Sequence, residues 1–402
     1  MKNLSEKARA YALKNALAYN GKAQQGSVIS ALFNEGLKKS EIPKYMKEIS
    51  KIVSEVNSLS LDEQEKEFEK IRDDISERHG RIGLQDLLNA KKGKVIMRFA
   101  PSPSGPLHIG HALTASLSYL YVKKYGGKFY VRIEDTNPEN ILPSAYKMIE
   151  SESTWLFNNE AEIIIQSYRM EIYYEYVEKL IKKKAVYVCI CQKEEFEKYV
   201  ESKENCPCRT SDSKENLERW RKMLSSNSKN NFQAGEAVLR FKSGMKNKNP
   251  AFRDFPLARI NETKHAIQKN KYRVWPLMNL AVAIDDIETK ITHIIRGKDH
   301  RDNAKRQEMI HKVLGKKSPW AGFLGKFNFK DMELSTTKFR KEIESGVYSG
   351  WDDLRLPTIA SLKKQGYKPE AFWKFAEQIG LSENDKTMDK REFFLLLDNF
   401  NK

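Results

Sequence analysis

Met97-Arg98-Phe99-Ala100-Pro101-Ser102-Pro103-Ser104-Gly105-Pro106-Leu107-His108-Ile109-Gly110-His111 is the stretch whose reading decides the fold. Val95 to Ala100 predicts a buried strand, the Pro/Gly run after it can continue neither strand nor helix, and a helix reopens from about Leu107. A turn of this kind leaves backbone N–H groups at the new helix's start, beside the positive end of its dipole, where a phosphate binds. His108 and His111 fall three residues apart on one face of the first turn. Gly110 between them removes a side chain where a flat ring could approach the backbone. The spacing therefore predicts an anion site with two imidazole donors; for His-x-x-His taken alone, a capping and packing role stands beside it.

Working outward, Lys128 to Asp135 reads as a second strand after the helix and Gly126-Gly127. Strand, helix and strand in that order predict a right-handed parallel unit of an α/β fold, with ligands gathering at the carboxyl ends of the strands. Arg98 lies near one such end and Glu134 at the other, where a carboxylate suits an ammonium group or caps the next helix. Ile291 to His300 predicts a further strand that delivers Arg296 to the cleft, a planar fork suited to a carboxylate. Tyr272 to Asn279 is expected to open a helix with Pro276 near its first turn.

The whole of Pro101 to His111 resembles the signature of class I aminoacyl-tRNA synthetases, in the form carried by the glutamyl and glutaminyl members. The resemblance implies a Rossmann-like doubly wound parallel sheet carrying an acceptor-end insertion. It also implies that the histidines stabilise ATP phosphates, with Ser102 and Gly110 beside them and Mg2+ accompanying ATP. Arg-Ile-Glu-Asp-Thr-Asn-Pro resembles the family's next block, so that Arg98, Ala100, Ser102, Glu134 and Arg296 would hold L-glutamate. A basic residue at the position of Arg296 marks the glutamate-specific branch, and an unpaired buried guanidinium disfavours a neutral amide. Glu333-Leu334-Ser335-Thr336-Thr337-Lys338 resembles the second signature, with Thr336 in the usual lysine place and Lys338 expected to meet the leaving pyrophosphate, aided by Ser335. Asn249 to Pro256 resembles the segment that meets the tRNA acceptor end, which assigns Arg253 and Asp254 to RNA.

The rest of the chain frames this core. The 402 residues allow two or three domains, and 71 Lys+Arg against 54 Asp+Glu, a formal charge of +17, favour a polyanionic partner without distinguishing RNA, DNA or a membrane surface. There is no run of eighteen apolar residues and no apolar secretion core at the N-terminus, so a soluble cytoplasmic protein with no membrane partner is expected. All four cysteines fall in two C-x-C pairs, Cys189/Cys191 and Cys206/Cys208, a pattern that matches a four-thiolate structural Zn2+ site and equally allows unmetallated thiols. Lys2 to about Gln85 is expected to be helical, with an apolar stripe Ala8, Tyr11, Ala12, Ala16, Leu17, another Ile49, Ile52, Val53, Val56, and a helix start at Ser60. Residues 203–235, rich in Ser, Asn, Lys and Glu, read as a partly loose insertion.

These readings divide the chain into an N-terminal helical module (1–92), a first catalytic half (93–190), the insertion (191–260), a second catalytic half (261–315) and a region of C-terminal stem-contact helices with the second signature (316–402), helical from Gly350. The resemblance implies tRNA(Glu) as acceptor, with tRNA(Gln) as a further candidate. The family's two anticodon-reading β-barrels have no counterpart in the sequence, so a separate anticodon-binding chain is a further expectation. A paralogue acting on another RNA acceptor and a non-catalytic tRNA-binding scaffold are the rival readings.

Overall fold

The computed structural model describes residues 4–72, 83–227 and 230–402. The chain divides into two units, Met1–Ile82 and Gly83–Lys402. The first contains α1 (Leu4–Ala18), α2 (Gln25–Asn34), α3 (Ile42–Ser58) and α4 (Leu61–Ile71). Ala8, Tyr11, Ala12 and Ala16 are buried with Ile49, Ile52, Val53 and Val56, whereas Leu17 lies at the stripe's edge and Leu13 takes a core place. Ser60 and Glu63 close a reciprocal capping box before α4, which satisfies two N–H groups that would otherwise be orphaned. The helical expectation for residues 73–82 lies outside the described residues.

The second unit starts with β1 (Val95–Phe99), α5 (Ile109–Tyr125), β2 (Gly127–Ile133), α6 (Ala145–Leu156) and β3 (Ala161–Ile165), three strands paired in parallel. From α7 (Met170–Lys182) the chain enters an antiparallel sheet of β4 (Val186–Cys189), β5 (Val238–Phe241), β6 (Pro256–Ile260) and β7 (Val274–Pro276). Between β4 and β5 lie α8 (Lys193–Ser202) and α9 (Ser213–Leu224). After α10 (Met278–Glu288) the parallel layer resumes with β8 (His293–Gly297), α11 (Arg301–Leu314) and β9 (Trp320–Leu324). The two parallel sets meet where Thr292 donates its N–H to Ile96 O at 2.9 Å and accepts the Ile96 N–H on Oγ1 at 2.9 Å. The chain thus winds outward from a seam between β1 and β8, the doubly wound arrangement, whose cleft lies beyond the carboxyl ends of those strands.

Last come β10 (Phe327–Phe329), α12 (Thr336–Glu344), α13 (Ile359–Lys364), α14 (Pro369–Ile379), β11 (Lys386–Met388) and α15 (Lys390–Asn401). The C-terminal helices share one apolar core with β1, β2 and α5. Trp373 packs on Tyr119 at 5.2 Å and donates its indole N–H to Leu156 O at 3.0 Å.

Three local expectations are corrected. Val274–Pro276 is strand, not the start of a helix, because it pairs with Ile260 to Ala258 at the sheet's edge, where a proline at a strand end forfeits nothing, and α10 begins only at Met278. Part of the polar insertion is an ordered helix, since Asp212 caps α9 through the Glu215 N–H at 2.8 Å and the helix buries its own Trp220 and Met223. Gly350 to Thr358 is a set of turns around Asp353, which accepts from the Ser349 N–H at 3.0 Å and Arg355 Nε at 2.8 Å, and α13 starts at Ile359.

Gly127 opens β2 at φ +146°, where a Cβ would stand 1.9 Å from Val95 O on the paired strand. Gly127→Ala is therefore expected to lower unfolding free energy in urea by about 2 kcal/mol or more, through backbone strain and loss of the first β1–β2 pair.

Candidate active site

His108 is the N-cap of α5, in extended conformation, and its Nδ1 accepts the Gly110 N–H at 3.1 Å. Its own N–H points to His111 Nδ1 at 3.5 Å, and the two rings stack with centroids 3.8 Å apart. Because a backbone N–H can only donate, both Nδ1 atoms are acceptors and the ring proton sits on Nε2 of each. Burial pushes the His111 pKa down to about 4 and, with the neighbouring His111, holds His108 well below its ordinary value. The imidazoles are thus neutral donors at pH 7. One expectation is corrected: the first N–H groups of α5 are not free but are engaged by His108 and by Pro357 O, the latter at 3.0 Å from the Ile109 nitrogen. The return bond, Ile359 N–H to Leu107 O at 2.9 Å, makes the contact reciprocal. His108 and Gly110 line a cavity of about 540 Å³ together with Thr114, Gly297, Lys326 and Glu333.

The other half of the cleft is ionic. Arg98 Nε and Arg132 Nη1 both donate to Asp286 Oδ1, at 3.2 and 2.7 Å, and Arg132 Nη2 reaches Glu134 at 3.0 Å. Burial works to raise the Asp286 pKa, but the Arg98 and Arg132 charges outweigh it and hold the carboxyl below its ordinary value. Asp285 beside it accepts from Arg169 Nε at 2.7 Å, Gln166 Nε2 at 2.8 Å and the Tyr173 hydroxyl at 2.8 Å. Arg296 is buried at the end of β8, where burial and then the Arg98 charge push it down to about 10; the charges of Glu134 and Asp286 act on it as well. Among the described residues, Arg98 Nη2, Arg132 Nε, Arg169 Nη2 and Arg296 Nε of this cluster are buried without a hydrogen-bond partner. The Glu134 N–H bonds Pro101 O at 2.9 Å, which ties Glu134 to the segment between half-buried Ala100 and exposed Ser102.

Arg132, Asp285 and Asp286 escaped the sequence reading. Their signal was present: Asp285-Asp286 interrupts an apolar helical run, and two carboxylates in such a helix need buried cations.

Near the His108 cavity, Ser335 caps α12 through the Lys338 N–H at 3.3 Å. Lys338 is exposed, with Nζ 2.8 Å from Glu333 at the cavity wall. The loop packs on the first signature turn, where Arg340 donates to Ser104 O and Thr336 lies so close to Gly105 that a Cβ there would be 2.2 Å from its methyl group.

Arg253 and Asp254 are not presented to RNA. Asp254 is fully buried between Arg209 Nε at 2.7 Å and the Tyr187 hydroxyl at 3.0 Å, and Arg253 donates to three backbone carbonyls, those of Asn247, Lys248 and Val200. Both side chains are occupied in holding the insertion together. Beside them, Cys189 and Cys206 Sγ are 3.9 Å apart and Cys191 and Cys208 Sγ 3.8 Å, with all four sulfurs within 4.8 Å of one another. Tetrahedral thiolates with metal bonds of about 2.3 Å stand about 3.8 Å apart, so this donor set fits a zinc ion.

With the geometry in place, comparison with known proteins supplies the class. Residues 94–397 match the family of tRNA synthetases class I (E and Q), catalytic domain. A glutamate–tRNA ligase of Methanocaldococcus jannaschii is 43% identical over 383 residues, 95% of this chain and 68% of that protein. Those of Methanothermobacter thermautotrophicus and Pyrococcus furiosus are each 42% identical, over 387 and 391 residues, covering 96% and 94% of this chain and 69% and 67% of theirs. In fold, the chain resembles a glutamate tRNA ligase from Elizabethkingia meningosepticum solved in complex with its amino acid, with TM-score 0.54 and 22% identity over 75% of this chain and 68% of that one. The chain belongs to the class I tRNA synthetases of the glutamate and glutamine branch. Among the described residues no helix is long and apolar enough to cross a membrane.

Glu152 offers a measurable check on the cleft's packing. It is buried, accepts the Leu107 N–H at 2.6 Å, and burial pushes its pKa up to about 8. A carboxyl near 4.3 when unfolded and near 8 when folded binds a proton on folding, so stability is expected to decline as pH rises between those values. Urea unfolding at pH 5 and pH 8.5 should show that loss in the native chain and a smaller one in Glu152→Gln.

Proposed function

We propose that this chain is a glutamate–tRNA ligase: it activates L-glutamate with Mg-ATP to the glutamyl-adenylate and transfers the acyl group to the 3′ end of tRNA(Glu). The reading is supported by the relatives' activity and carried by one observation, the two buried N–H groups of Arg98 and Arg296 without protein partners beside Glu134. Two such cations suit an amino acid with two carboxylates, and Glu134 suits its ammonium group. A neutral amide in place of the distal carboxylate would leave a buried guanidinium uncompensated.

The chemistry asks for no side-chain nucleophile. Glutamate's α-carboxylate attacks the α-phosphorus of ATP, pyrophosphate leaves, and the terminal ribose hydroxyl of the RNA then displaces AMP from the adenylate. The chain's own contribution is alignment and donors aimed at the charge that develops on phosphate. Neutral His108 and His111 offer Nε2–H groups near the nucleotide cavity, and Lys338, released from Glu333, offers a mobile cation. Cys189, Cys191, Cys206 and Cys208 would hold a structural zinc ion that braces the insertion. The excess of basic side chains favours RNA binding that weakens with salt.

Glutamate-dependent exchange of pyrophosphate into ATP, with and without tRNA, tests the reading, and charging tRNA(Glu) and tRNA(Gln) side by side fixes the acceptor. Arg296→Cys is expected to raise KM for glutamate a hundredfold or so, on the order of the loss of a buried charge-assisted pair; an unchanged KM would remove the basis for choosing glutamate. Cys206→Ser should lose bound zinc by elemental analysis and melt about 5 °C lower. A native chain free of metal would overturn the zinc assignment.

A further inference from the structure

Arg296 is a buried cation that forms no ion pair within the chain among the described residues; it is held by an amide. Its Nη1 donates to Gln307 Oε1 at 3.0 Å, and Gln307 Nε2 donates to Asn279 Oδ1 at 3.3 Å. All three side chains are buried, at 8, 3 and 8% exposure, on β8, α11 and α10 respectively. The polarity of this relay is forced. A guanidinium can only donate, so Gln307 must turn its oxygen to Arg296 and its NH₂ away, and Asn279 must then present oxygen. Arg98 is held differently, by the charged Asp286, which it shares with Arg132.

We propose that Gln307, backed by Asn279, is a positioning and specificity-determining residue for glutamate. Being neutral, it fixes the Arg296 fork without cancelling its charge, so that the full cation and the unpartnered Nε–H remain for the substrate's carboxylate. A carboxylate at 307 would hold the fork as firmly yet compete with the substrate for it. A group lacking an acceptor would leave the fork unheld. The role rests on the reading of Arg296 as a carboxylate binder.

Gln307→Met and Gln307→Glu, assayed in the full chain by pyrophosphate exchange, separate these effects. Gln307→Met is expected to raise KM for glutamate about tenfold with KM for ATP within twofold, the size of one lost buried hydrogen bond to a charged group. Gln307→Glu restores an acceptor and is expected to keep or raise the melting temperature. It should nevertheless raise KM for glutamate at least as far, and lower the preference for glutamate over glutamine in kcat/KM about tenfold. A structural role alone predicts the reverse for Gln307→Glu, namely native kinetics accompanying native stability. The proposal is overturned if Gln307→Glu keeps native KM and preference, or if Gln307→Met raises KM for glutamate and ATP alike in step with a fall in melting temperature. A native chain without glutamate-dependent exchange would instead overturn the reading of Arg296 itself.

Discussion

The Asp286 carboxylate, shared at one oxygen by Arg98 and Arg132, is the interaction on which the cleft depends. Three guanidinium groups end on neighbouring strands within a few side chains of one another, and burying them without an anion would cost more than the surrounding packing supplies. Asp286 neutralises part of that charge from the end of α10, Glu134 part from the end of β2, and a fraction is left over at Arg296. The residual positive field is what the proposed glutamate site would use. Its sign is set by the deficit of carboxylates, and its location by the seam from which the strand order winds outward in both directions.

The two halves of the cleft work by different physics. Around His108 and His111 burial has removed charge: the imidazoles are neutral, stacked and fixed in one tautomer by backbone N–H groups that point at them. Around Arg98, Arg132 and Arg296 burial has left charge in place and compensated it with carboxylates and amides. Directional donors suit a phosphate whose geometry changes during reaction, and net charge suits a carboxylate that must be told from an amide.

Much of this was legible before any coordinates, because the strand, the Pro/Gly turn and the helix bearing His108 and His111 are encoded locally, within fifteen residues. Arg296 was legible for a related reason, since a cation ending an apolar strand has few destinations. Ionic partners drawn from afar were not. Asp286 lies 188 residues from Arg98 in sequence, and two carboxylates in an apolar helix signal that buried cations are needed without saying which. Local patterning misled where packing overrode it. Resemblance alone assigns Arg253 and Asp254 to RNA, but Asp254 finds Arg209 and Tyr187 from two other elements and disappears into the insertion. Val274–Pro276 became strand because β6 offered it an edge.

The paired bonds between Leu107–Ile109 and Pro357–Ile359 span some two hundred and fifty positions of chain. Ribosomal synthesis delivers the stacked histidines long before the segment that clamps them, and contacts of such sequence separation carry the slowest loop closure in a fold. The clamp on the stacked histidines therefore cannot close before Ile359 has been made. Both strands of the seam, β1 and β8, are already synthesised while that clamp still lacks its second half.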